Sequence, residues 1–382
     1  MKTSSHLIRA AVGSFMTAAT LLTNVAFTAA PAAAGDGTGA VFVLTNNAVN
    51  SVAIFNRAAD GSLTAAGTVL TGGAGLAAGL GSQGALALGD DRRTLFAVNA
   101  GSNEVSAFVI NRNTPRLVAK VSSNGIRPIS LAVHDNVLYV LNQGNATSAG
   151  NISGFKVAAN GALTAISGST QSLSSNANGS MLAAAQVSFD RDGEHLVVTE
   201  KGSNKIDVYT VNNSVAQPPV VYASNGNVPF GFAITNANNV IVSEAASGAV
   251  SSYKLTEKGL ASVTASASTH QGAPCWVAVT GNGKFAYTTN AASASISGFA
   301  VAQNGTLTPL NSTGITAVVG PNVSPVDMGL SVDSKFLFAL TRDPVTNMRG
   351  ISAFAVQADG SLVAIAGIAG QLPAFAASVA SY

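Results

Sequence analysis

An aliphatic residue stands three places before an aromatic one at seven points along the chain: Val52/Phe55, Val105/Phe108, Ile152/Phe155, Ile206/Tyr209, Val250/Tyr253, Ile296/Phe299 and Ile351/Phe354. Each pair follows a second short apolar run, and those runs end at Asn46, Asn99, Asn142, Glu200, Glu244, Asn290 and Thr341, spaced 43 to 58 residues apart. Residues three apart on a strand point to opposite faces, so every such segment must be covered on both sides. Asp-Gly or Asn-Gly turns follow several copies, as in ADGSL at 59–63, ANGAL at 159–163 and QNGTL at 303–307, and Gly supplies the positive φ of a tight hairpin. A further strand precedes each unit, commonly opened by proline (Pro128, Pro229, Pro274, Pro325, Pro373), with Gln83 and Ala184 in that place in two units. Four short antiparallel strands repeated seven times predict an all-β, seven-bladed β-propeller.

The two ends complement each other. The repeat begins on a second strand, VFVLTN at 41–46, and finishes on LPAFAASVASY at 372–382, which reads as a first strand without a successor. Pairing the two closes the ring and leaves no open sheet edge.

Before the repeat, residues 1–34 carry Lys2 and Arg9, an uncharged apolar run and Ala32-Ala33-Ala34, the pattern of a secretory signal peptide. The expected division is a leader over 1–34 and one propeller domain over 35–382, secreted or periplasmic. Without the leader, Lys+Arg falls from 19 to 17 against 17 Asp+Glu. A neutral chain with only 9% charged residues and no basic cluster has no footprint for nucleic acid, and no later segment is built for membrane insertion. The single Cys275 cannot form an internal disulfide, and a monomer is expected.

Antiparallel pairing puts the starts of the first strands and the ends of the second strands on one face of the disc, where a site would surround the central channel. Two places after the proline position the ring reads Ala85, Ser130, Gln186, Gly231, Trp276, Asp327 and Phe375. Glu200 and Glu244 interrupt the run of strand-end Asn and are the candidate general base and acid. Gln186 and Asn290 are candidate oxyanion donors. Trp276 is a candidate floor for an apolar ring, with His270, Asp327 and Arg342 as further substrate contacts on that face. Strand-end Asn and Glu could also hold Ca²⁺, but capping of turns is their commoner use; no metal and no cofactor are expected.

The pattern PxxhAhxxxGxxxYxxN followed by IsxFxv and DGsL resembles the lactonase family of seven-bladed propellers, over residues 38–382. That family includes bacterial 6-phosphogluconolactonase and fungal carboxymuconate-lactonizing enzyme, and it merges with YVTN-type repeats. Residues 185–209, 229–253 and 274–299 are similar to its exported, lactonase-like branch. The resemblance implies an Arg-His pair opening a first strand and a Glu ending the next; Glu200 matches the Glu, while Ala185 and Gln186 stand where Arg-His would be. Two functions follow as expectations. One is a secreted hydrolase of a neutral lactone, with Glu200 or Glu244 activating water. The other is a non-catalytic propeller that binds a glycan, peptide or envelope protein.

Overall fold

Alternation of apolar residues inside short runs, each ended by a turn, gives strands and no helices in the computed structural model, which describes residues 39–174 and 184–382. The leader expected over 1–34 lies outside them. The described residues form seven antiparallel sheets, each running from an inner to an outer strand, with the outer strand split into two short pieces in blades 3, 4 and 6. Blade 1 holds Gly39–Leu44; the inner strands of blades 2 to 7 are Leu86–Leu88, Pro128–His134, Ala184–Phe189, Pro229–Ile234, Pro274–Val279 and Ser324–Leu330.

The ring closes at its ends. Ser378–Ser381 is the inner strand of blade 1, with Val41 opposite Ser381 and Leu44 opposite Ser378. The segment differs from expectation in one respect. Leu372 ends the outer strand of blade 7, and Ala376 N–H bonds Pro373 C=O in a turn before the strand begins. Counting from the proline therefore misplaces the ring position, which in blade 1 is Ser378 and not Phe375.

The aliphatic and aromatic members of each repeat pair are buried, and most pairs divide between two hydrophobic clusters. Ile206 packs with Val197, Phe232 and Tyr253, whereas its companion Tyr209 joins Phe189, Tyr139 and Leu196. Ile296 and Phe299 separate in the same way. Each blade thus contributes one row of side chains to the interface before it and one to the interface behind it. At the turns, Gly161 and Gly305 have φ of 82° and 94°, the left-handed values the sequence pattern calls for.

A candidate functional site at the channel mouth

Residues 71–85 join the outer strand of blade 1, Leu63–Leu70, to the short inner strand of blade 2, and this Gly-rich connection enters the centre of the ring. Ser82 Oγ donates to the Ile129 carbonyl of blade 3 at 2.8 Å, Lys201 Nζ of blade 4 donates to the Gly81 carbonyl, and Trp276 Nε1 of blade 6 donates to the Ser82 carbonyl at 2.9 Å. A segment tied to the adjacent blades 3 and 4 and, on the other side, to blade 6 lies across the channel. It plugs the mouth.

Behind the plug, side chains at the ring position clasp four of the blades to the next. Ser130 Oγ accepts the Val187 N–H at 3.1 Å, and Ser378 Oγ accepts the Leu86 N–H at 3.2 Å. Gln186 accepts the Phe232 N–H at 2.8 Å and donates to the Phe232 carbonyl at 2.9 Å. Asp327 accepts the Met328 N–H at 2.8 Å and the Val379 N–H at 2.9 Å. Blade 5 carries Gly231 here, and the missing clasp comes from the plug: Gln83 donates to the Val277 carbonyl at 2.7 Å and accepts its N–H at 2.9 Å. A Cβ on Gly231 would sit 2.1 Å from Gln83 Oε1, so this glycine makes room for the replacement. Gln186 and Asp327 are therefore held as inter-blade clasps. Complete burial pushes the Asp327 carboxyl up to about 7.

The strand-end residues face another way. Glu200 is fully buried; its Oε1 accepts the Ser174 N–H at 2.9 Å, and its Oε2 accepts the hydroxyls of Ser174 at 2.8 Å and Ser203 at 2.7 Å. Ser174 belongs to the connection from blade 3, whereas Gln186 of the same sheet reaches forward to blade 5. The two side chains project from opposite faces of blade 4. Beside Glu200 lies Asp207, which occupies the place of Ser106, Ser251 and Ser297 in other blades. Its carboxyl is within hydrogen-bonding reach of Glu200, and burial together with the Glu200 charge holds its pKa well above the ordinary carboxylate range. Asp207 is not among the sequence-derived candidates, although its column, seven places after the strand end, is visible in the sequence.

Glu244 repeats the arrangement one blade on. Its Oε1 accepts the hydroxyls of Ser224 at 2.7 Å and Ser251 at 2.6 Å, and burial raises its pKa. Asn290 donates to Ser295 at 3.0 Å and Ser297 at 2.9 Å. Glu200, Glu244, Asn290 and Gln186 thus do not converge. They tie the blade-to-blade connections and the inner strands of separate blades. Among the described residues, no group of three or more His, Cys, Asp or Glu is placed to hold a metal ion.

Of the other candidates, Trp276 is at the mouth, buried, with its ring edge against Phe230 at a centroid distance of 5.2 Å. Neighbouring Cys275 has its thiol pushed up to about 11 by burial, which keeps it from acting as a thiolate. Lys201 lies over the Phe230 ring at 4.6 Å, and burial draws its ammonium down to about 8. His270 is exposed on the connection between blades 5 and 6, with φ of 52°. Arg342 is exposed, and its cross-strand partner is a residue the sequence reading did not single out, Arg349. Arg349 is buried and lines a cavity of about 190 Å³ between the plug and blades 6, 7 and 1, with Leu80, Trp276, Val326 and Phe375 as its apolar walls.

A ring of seven four-stranded blades closed by its own C-terminal strand defines a seven-bladed propeller with a plugged mouth. The model of the family described as "Lactonase, 7-bladed beta-propeller" matches residues 26–172, 148–254 and 240–327, and the chain belongs to that family. Solved structures share the fold at low identity. The periplasmic gluconolactonase of Pseudomonas aeruginosa is 18% identical with a TM-score of 0.68, covering 90% of this chain and 98% of that one. A protein from Lactobacillus plantarum is 18% identical with a TM-score of 0.71, covering 90% and 99%. A Bacteroides fragilis protein, provisionally a 6-phosphogluconolactonase, is 19% identical with a TM-score of 0.69, covering 91% and 98%. No curated protein matches the chain in sequence.

Proposed function

We propose that this lactonase-family propeller works as a monomeric binding protein outside the cytoplasm, taking a small molecule at the channel mouth, and does not hydrolyse lactones through Glu200. The observation that carries the reading is the state of Glu200: three donors fill its two oxygens, no part of it is exposed, and it turns away from the mouth. A general base must reach a water beside the substrate, and a base with its acceptors occupied and no open path lacks that reach. The leader-like N-terminus and the periplasmic location named for the Pseudomonas aeruginosa gluconolactonase support a place outside the cytoplasm. The narrow cavity beside the plug favours a small ligand over a glycan or a protein partner.

Hydrolysis of a panel of neutral lactones by wild type and Glu200→Gln tests this. Both proteins are expected to stay at the uncatalysed rate. Wild-type turnover that falls about 10²- to 10⁴-fold in Glu200→Gln, the size of a lost general base, would overturn it in favour of the hydrolase.

A further inference from the structure

Arg349 is an unusual cation for its surroundings. It is 8% exposed, its Nε donates to the Ala374 carbonyl at 2.9 Å, and neither Nη1 nor Nη2 has a partner among the described residues. A buried charge left without a partner is costly and calls for an explanation, and one that opens onto a cavity is a candidate ligand contact. No acidic side chain lines the cavity, and the adjacent cross-strand residue is a second cation, Arg342. Burial and that like charge draw the Arg349 guanidinium down to about 10. The remaining wall is apolar, and the one polar side chain on it, Ser82, already donates to Ile129.

We propose that this cavity is a carboxylate-binding site, in which the open fork of Arg349 takes the two oxygens of a small organic acid while Leu80, Trp276, Val326 and Phe375 cover its apolar body. Two parallel N–H···O bonds from a planar guanidinium match a carboxylate in geometry as well as charge. A volume of about 190 Å³ is of the order of the roughly 150 Å³ apolar cavity that takes benzene, which suits a single-ring or short-chain acid. The inference rests on the reading of the mouth as a binding site and names the class of ligand it takes.

Benzoate and benzamide share shape and differ in charge, so titrating both into the purified full-length protein by calorimetry isolates the Arg349 contribution. Benzoate is expected to bind at least about tenfold more tightly than benzamide, and Arg349→Gln to weaken benzoate by about 10- to 100-fold, the span of one or two charge-assisted hydrogen bonds. Equal binding of the two probes, unchanged benzoate affinity in Arg349→Gln, or no benzoate binding at millimolar concentration would overturn the proposal. Should Arg349→Gln not fold, the unaltered protein still decides. Phenylglyoxal modification of Arg349, followed by mass spectrometry, is expected to slow with benzoate present, and an unchanged rate counts against the site. Absence of benzoate binding together with absence of lactone turnover would sink this inference alone. Glu200-dependent lactone turnover would sink the wider reading and leave the benzoate result standing.

Discussion

Glu200 and Arg349 are both buried charges near strand ends on the same face of the disc, and their surroundings are opposite. Glu200 meets three donors and a partner carboxyl, all supplied by the chain. Arg349 meets one carbonyl, a cavity and a second arginine. A charge whose hydrogen-bonding capacity is filled from within belongs to the scaffold, whereas one left open next to a cavity has capacity to offer a ligand. The departure of Glu200 from the Asn pattern is compensated locally by Ser174 and Ser203. Beyond the Ala374 carbonyl, nothing among the described residues compensates Arg349.

The contrast can be broken most severely at Glu200. Glu200→Ala leaves the Ser174 and Ser203 hydroxyls without their carboxylate acceptor in a buried place and the Ser174 N–H with Asp207 alone, and is expected to cost about 2–4 kcal/mol in denaturant unfolding. A loss under about 0.5 kcal/mol, the size of an ordinary surface substitution, would show that Glu200 is not a structural tie.

A smaller effect sharpens the same contrast. Asp207, and Asp327 at about 7, keep folded-state pKa values above the ordinary 3.8, so between roughly pH 4 and 7 the folded protein holds protons the unfolded chain has released. Their contribution to stability is full below that interval and is lost as pH rises through it. Asp207→Asn keeps the acceptor for Ser174 and presents an N–H toward Glu200, so at pH 8 it is expected to be about 1 kcal/mol more stable than wild type and at pH 4 no more stable. Unfolding curves at the two pH values check this; a destabilised Asp207→Asn at pH 8 would mean that the charge itself is needed.

The scaffold was legible in the sequence because it is repeated. Seven copies of one strand pattern and two complementary ends give the blade count and the closure of Ser378–Ser381 on Gly39–Leu44. The face of the strand ends was legible too, since antiparallel pairing fixes it. The direction of the side chains on that face was not. Glu200 and Gln186 pair with neighbouring residues, Glu200 with Ala184 and Gln186 with Thr199, and the alternation of a strand sends them to opposite blade interfaces. The plug and Arg349 escaped for a related reason, since both lie where the repeat is interrupted. Residues 71–85 form a long connection, and the hairpin from Arg342 to Arg349 is longer than the five-residue step from Asn99 to Glu104 or from Asn290 to Ser295. Comparison among copies says nothing about residues that have no copy. A segment such as 79–83 takes its place from contacts with blades 3, 4 and 6, all distant in sequence.

The central claim, that the open charge serves a ligand at the expense of the fold while the filled one serves the fold, is tested most directly by the unfolding free energy of Arg349→Met measured at neutral pH without ligand. Methionine keeps much of the length and apolar stem but carries no charge, so the loss of the Ala374 hydrogen bond is set against removal of an uncompensated buried cation. The predicted result is a variant within about 1 kcal/mol of wild type, or more stable. A loss of about 3 kcal/mol or more, equal to that expected for removing the Glu200 carboxylate, would contradict the account and make Arg349 a tie of the closing blade.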